Sequence, residues 1–177
     1  MKRLGATGRK WVNGTHMFFA SAWVGAAISL TTLRFFSITN DVLANGDILY
    51  AINAGIKLID DAVIIPAALG TLLTGFLISL LTPWGAFKHR WVAVKWVVTV
   101  LAILFGTFFL GPWVNELTEL TDAFGAVSPA EKRFQVLIFH HTFWGGVQTV
   151  ILISVVFISA IKPWGKKKQK DDTAAAK

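Results

Sequence analysis

The chain has 177 residues, of which 54% are hydrophobic and 15% are charged, and its formal net charge is +7. Soluble domains contain about 25% charged residues, so this composition argues against a soluble protein. The basic residues lie in short clusters beside apolar runs, which is typical of membrane orientation signals and argues against nucleic acid as a partner. The absence of cysteine excludes disulfides, thiolate chemistry and iron–sulfur ligation.

Four apolar segments are long enough to cross a membrane. A spanning helix needs about 20 mostly apolar residues, and it must be a helix because lipid offers no partner for backbone polar groups. Windows of this kind cover 11–33, 62–81, 91–113 and 134–161. The first window is too long for a signal-peptide core, so we expect it to be retained. The sequence therefore predicts an all-α, four-helix transmembrane bundle over residues 1–165.

The distribution of basic residues predicts that both termini are cytoplasmic. With the N-terminus inside, the outer segments hold only Arg34, Lys57, Lys132 and Arg133, and Lys95 lies within a span. The other twelve basic residues lie inside: Lys2, Arg3, Arg9, Lys10, Lys88, Arg90, Lys162, Lys166, Lys167, Lys168, Lys170 and Lys177. Such a bias over short loops sets orientation. Residues 166–177 are predicted to be a basic, disordered cytoplasmic tail.

The segment Val42–Asp61 is predicted to be an amphipathic outer helix, because apolar residues recur there at helical spacing. It either lies in the outer interface or runs directly into the second span. In the functional interpretation this segment is a lid over a cavity that opens outward. In the structural interpretation it is an interfacial helix that shields the bundle. Asp60 and Asp61 are expected to cap the second helix, where carboxylates are favoured. Residues Asn115–Lys132 are expected to form an outer loop.

Four ionisable residues within the spans are the functional candidates: His16, Lys95, His140 and His141. His16 and Lys95 enter from the same side and lie at similar depth. His141 enters from the other side, roughly 12 Å from His16 along the membrane normal. Two axial ligands of one iron lie about 4 Å apart. We therefore expect separate sites, or one site at a single level, rather than one haem between His16 and His141.

Each of these residues has a structural and a functional interpretation. His140 and His141 lie about 100° apart on their helix, and we favour His141 as the inward one because Gly145 and Gln148 continue its stripe. His16 and His141 are either haem-iron ligands or hydrogen-bonded structural residues. Lys95 either pairs with a haem propionate or another anion, or extends to the inner surface.

Three stretches carry a resemblance to a known family: Leu73–Leu77, Thr82–Lys95 and Lys162–Gly165. They resemble a family of uncharacterised bacterial four-helix integral membrane proteins, similar to the CopD-like membrane domain and distantly to HemJ-type protoporphyrinogen oxidase. In those relatives a first-helix histidine and a lysine early in a later helix recur, and HemJ-type proteins bind b-type haem. The matching positions are His16 and Lys95. CopD-type function concerns copper, but soft copper sites use Cys or Met, so we do not expect copper transport.

The sequence thus favours a multi-pass protein of a bacterial cytoplasmic (inner) membrane that binds b-type haem for electron transfer or porphyrin-related redox chemistry. Its cofactor-binding candidates are His16, Lys95, His140 and His141, with His16 or His141 as the iron ligand. The partners expected for this role are the lipid bilayer, a quinone or redox partner protein, and a second copy of the chain. Two alternatives remain open: a small ion or metabolite transporter, and a cofactor-free accessory subunit of a membrane complex.

Overall fold

The computed structural model describes residues 5–81 and 90–162, and the regular elements in these ranges are all helical. The α-helices are α1 (Ala6–Ser37), α2 (Asn40–Leu43), α3 (Gly46–Ile59), α4 (Ile65–Leu81), α5 (Arg90–Phe105), α6 (Gly111–Phe124) and α7 (Lys132–Ile161). Parts of the stretches that carry the family resemblance, residues 82–89 and 163–165, lie outside the described residues. The predicted tail, 166–177, lies outside them as well.

Four long helical rods in these ranges are apolar enough to cross a membrane, which confirms the predicted all-α class and indicates a multi-pass membrane protein. They are Ala6–Ser37, Gly46–Leu81, Arg90–Ala130 and Lys132–Ile161, with window hydropathies of 1.3 to 2.1. Large apolar side chains point away from the bundle: Leu73, Phe108 and Val150 are each more than 60% exposed. Apolar residues around the outside of a helix bundle are typical of contact with lipid.

All four rods are longer than the predicted spans, and the second and third exceed them most. The second begins at Gly46, where the side chain of Asn45 caps α3 by accepting a hydrogen bond from the Ile48 amide at 3.2 Å. Asp60 and Asp61 therefore lie inside a continuous helix, and the prediction that they cap the second helix was wrong. No proline lies between Gly46 and Ile65, so nothing in that stretch forces a helix end.

The third rod continues through most of the expected outer loop. Residues Asn115–Phe124 are helical as part of α6, and a 3₁₀ segment, Gly125–Ala130, leads into α7. Val114 and Leu117 are buried on the inner face of α6, where α6 packs against α3 and α7. This apolar stripe holds α6 on the bundle, because burying a helix face stabilises it more than helix propensity does.

Each of the two longest rods contains a π-helical segment next to a proline. Asp60–Ile64 joins α3 to α4, and Gly106–Leu110 joins α5 to α6. Pro66 and Pro112 each follow two residues after the end of these segments. Proline lacks an amide N–H and its ring collides with the carbonyl four residues earlier. A local shift to five-residue hydrogen bonds, such as Gly111 N–H to Gly106 O, lets the helix continue past it.

The described residues form three apolar cores, of which the smallest contains Leu30, Ile56 and Val114. One lies around the middle of the bundle and consists mainly of small residues with Trp23: Trp23, Ala27, Ala67, Ala68, Ala102 and Leu152. Small residues allow membrane helices to approach closely. The second lies beneath α3 and α6 and contains Val42, Leu49, Leu117, Phe134 and Leu137. We call the end where α1 begins and α7 ends the near end, and the end with the second core the far end.

A substitution at Gly46 tests how closely α3 packs at the far end. A Cβ atom on Gly46 would collide with the amide nitrogen of Ala126 and lie 2.7 Å from the carbonyl carbon of Gly125. Gly46→Ala should therefore destabilise the protein by about 1–3 kcal/mol, as overpacking typically does, measured by thermal unfolding in detergent. Gly55→Ala is the control, because a Cβ there meets nothing within 4 Å; it should be neutral or slightly stabilising. Equal stability of the two variants would contradict this packing.

Candidate functional site

A cavity of about 350 Å³ opens at the near end between α1, α4, α5 and α7. Small-molecule and cofactor sites typically have about 300–1,000 Å³, so this near cavity is large enough to hold a ligand. Its polar and aromatic lining includes His16, Thr71, Trp91, Lys95, Trp96 and Ser159. No acidic residue is among the described residues that line it. The near cavity therefore suits a ligand with apolar surface and anionic groups.

The hydrogen bonds of His16 determine which ring nitrogen carries the proton. Nδ1 lies 2.9 Å from the hydroxyl oxygen of Thr74, and that hydroxyl donates its own proton to the carbonyl of Gly70 at 2.6 Å. With the hydroxyl proton directed to Gly70, the Thr74 oxygen accepts from His16 Nδ1–H. In a neutral imidazole the other nitrogen is then the acceptor, so in this tautomer the lone pair lies on Nε2. A hydrogen bond to one ring nitrogen is also what fixes the tautomer and orientation of metal-binding histidines in general.

Lys95 and two indoles form the wall contributed by α5. The Lys95 ammonium lies 5.7 Å from the centroid of the Trp91 ring, within the range of a cation–π interaction. Trp96 donates its indole N–H to the Ser79 hydroxyl at 3.2 Å, and its ring meets Phe76 edge-on. The structure thus brings Lys95 and His16 to one cavity, in agreement with the similar depth estimated from the sequence.

A second, smaller cavity of about 60 Å³ lies nearer the far end. Arg34, Asp60, His141 and Gln148 line it, and so do residues from both π-helical segments. Trp23, which is 4% exposed, contributes to the walls of both cavities. His16 and His141 therefore line different cavities, as their estimated depths predicted.

Arg34 is the main buried ionisable residue that was not predicted from the sequence. We expected it in an outer segment, but it is 1% exposed in the last turn of α1. Its guanidinium donates to His141 Nδ1 at 3.1 Å, to the Asn53 side-chain oxygen at 2.7 Å and to the Ser37 hydroxyl at 3.4 Å. The sequence does contain a pattern that indicates the burial of Arg34. Arg34 continues the buried stripe of Trp23, Ala27 and Leu30 at helical spacing.

His141 is buried, at 8% exposure, and its bond to Arg34 fixes its proton on the other nitrogen. Because Nδ1 accepts from Arg34, the neutral ring carries its proton on Nε2. In this arrangement His141 offers no lone pair to a metal ion. His140 is half-buried, lines neither cavity and packs its ring 5.4 Å from that of Trp113. Across the described residues no cluster of three or more His, Cys, Asp or Glu could hold a metal ion.

Replacing His141 tests the buried network. His141→Leu removes the acceptor of the Arg34 Nε–H and leaves a charged donor unpaired, which should lower stability by about 1–3 kcal/mol or more. His140→Leu is the matched control on the same helix, and it should cost clearly less because no hydrogen bond is lost. Thermal unfolding of both variants in detergent measures the difference. A smaller loss for His141→Leu than for His140→Leu would show that the Arg34–His141 bond does not stabilise the fold.

Comparisons of the chain with protein-family models, with curated proteins and with solved structures returned no match. The family resemblance therefore stays a hypothesis carried by the sequence motifs, and the candidate site depends on its own geometry.

Proposed function

We propose that this chain is a membrane haem protein that binds one b-type haem in the near cavity for electron transfer or porphyrin-related redox chemistry. The observation that carries the proposal is the hydrogen bond between His16 Nδ1 and Thr74, which favours a lone pair on Nε2, at a cavity of about 350 Å³. A neutral histidine whose other nitrogen is held by a hydrogen bond is the usual axial ligand of haem iron.

The residues of the near cavity fit this cofactor. His16 would bind the iron, and Lys95 would pair with a propionate carboxylate. The absence of acidic residues from the described lining also favours binding of a carboxylate there. Trp91 and Trp96 supply flat apolar walls suited to a macrocycle. When bound, haem b would supply one-electron redox chemistry. A quinone or a redox partner protein would exchange electrons with it, and a second copy of the chain could complete the assembly.

The hydrogen bonds support His16, rather than His141, as the axial ligand. The bond between Thr74 and Nδ1 of His16 favours a lone pair on Nε2, whereas Arg34 occupies the acceptor nitrogen of His141. His140 contacts Trp113 and lines neither cavity. We therefore assign His141 a structural role beside Arg34 and leave His140 outside the haem site.

We further propose that the protein lies in a bacterial cytoplasmic membrane with both termini inside. The positive-inside bias supports this orientation, which makes the near cavity the cytoplasmic one. The proposed outer amphipathic segment then corresponds to α3. Its Asn53 and Ile56 face inward and are fully buried, while Leu58 is 65% exposed. Because α3 contributes Ile56 to the smaller cavity and Asn53 to the Arg34 network, it would cover that cavity on the outer side.

Absorption spectroscopy tests the haem proposal. The protein purified in detergent, with haem supplied, should show a Soret band, and His16→Ala should lose at least nine-tenths of it because the iron loses its ligand. His140→Ala, which changes a half-buried histidine outside the cavity, is the control and should keep the band. Lys95→Met should weaken haem retention without abolishing it. Absence of a Soret band in the unaltered protein, or full retention by His16→Ala, would contradict the proposal.

The orientation is tested with a reporter at each end of the chain. Fusions at the N-terminus and at the C-terminus should both report the cytoplasm, because four crossings return the chain to its starting side. A fusion inserted near Ala126, between α6 and α7, should report the opposite compartment and serves as the positive control for export. Termini in opposite compartments would rule out four spans.

A further inference from the structure

Arg34 is a buried cation that forms no direct ion pair with the described residues. Its three hydrogen-bond partners, His141, Asn53 and Ser37, are all neutral in the arrangement seen. The two ion pairs found in those residues join Lys57 to Asp61 and Arg133 to Glu116, and neither involves Arg34. A charge removed from water is costly unless an opposite charge and hydrogen bonds compensate it.

The guanidinium also keeps hydrogen-bonding capacity unused. Its Nη2 is the one buried side-chain nitrogen or oxygen of the described residues that lacks a hydrogen-bond partner. The Nε2–H of His141 is a second donor, because the opposite nitrogen accepts from Arg34. Both residues line the 60 Å³ cavity. An unpaired charged donor and a neighbouring N–H at one cavity call for a ligand that accepts hydrogen bonds and carries negative charge.

The size of this cavity limits the ligand. One buried water needs about 10–15 Å³ of such space, so 60 Å³ holds a few waters or one small anion, and it is too small for a sugar acid or a quinone ring. Both π-helical segments contribute to its wall, and π-bulges frequently occur at functional sites. Neither the size of this cavity nor its π-helical wall depends on the near cavity or on haem binding.

We propose that this cavity binds one small monovalent anion of about halide size, held by Arg34 Nη2 and His141 Nε2–H. Asp60 lines the cavity as well, but it lies beyond ion-pairing distance of Arg34, and its Oδ2 faces the Gly111 end of α6. Lys57 and Asp61 are its nearest charged neighbours on its own rod. The Asp60 carboxylate therefore opposes the anion and weakens its binding, so the charge on Asp60 sets the affinity.

Halide titration of the purified protein tests this site. The protein in detergent is exchanged into sodium gluconate, whose anion is too large for the cavity, and bromide replaces gluconate at constant ionic strength. We expect a saturable rise in the unfolding temperature and a matching saturable heat by calorimetry. Arg34→Gln should abolish both responses.

A second variant, Asp60→Asn, tests the anion site even if the Arg34→Gln protein does not fold. Removing the opposing charge should tighten bromide binding by about tenfold or more. Asp122→Asn is the control, because Asp122 is exposed on α6 and does not line the cavity; it should leave the affinity unchanged. Two results would overturn the proposal: no saturable bromide response in the unaltered protein and in Asp60→Asn, or a large loss of stability in Asp60→Asn without tighter binding. The second result would mean that Asp60 is the counter-ion of Arg34 through bridging water.

Discussion

Lipid offers no hydrogen-bond partner to a peptide group, and most features of this molecule follow from that constraint. The chain must stay helical throughout each crossing, even where proline removes a donor. At Pro66 and Pro112 the rods keep their continuity by shifting to π-helical hydrogen bonds. These shifts widen the helices at the level of Arg34, and both contribute to the wall of the smaller cavity. The need to satisfy the backbone thus creates space in the bundle where ionisable side chains can lie.

The ionisable side chains are arranged as two sets that differ in chemistry. His16 and Lys95 line a roomy cavity with aromatic walls, and a hydrogen bond to a threonine hydroxyl favours a lone pair on Nε2 of the imidazole. Arg34 and His141 line a small cavity in which hydrogen-bond donors are in excess. One set therefore favours an electron-pair acceptor such as a metal ion, and the other favours an electron-pair donor such as an anion. Treating all the histidines as one cofactor site would miss this difference.

The transmembrane helices were predictable from apolar length, because the cost of burying charge in lipid leaves long uncharged runs in the sequence. The shared cavity of His16 and Lys95 was predictable from depth along the helix.

The burial of Arg34 was not predictable in the same way, because a cation near the end of a span usually faces water and the sequence does not show that α1 continues to Ser37. Asp60 and Asp61 do not cap a helix, because no stop signal precedes Pro66 and the preference of carboxylates for helix N-termini does not by itself start a helix. The proton positions on the histidines depend on partners far away in sequence, which no local pattern contains.

Trp23 has a consequence for how the two cavities communicate. Its indole contributes to the wall of each and is almost completely buried among alanines of neighbouring helices. One buried side chain therefore belongs to the walls of both cavities. Because protein interiors are close-packed, a different rotamer of Trp23 would alter the shape of both cavities together.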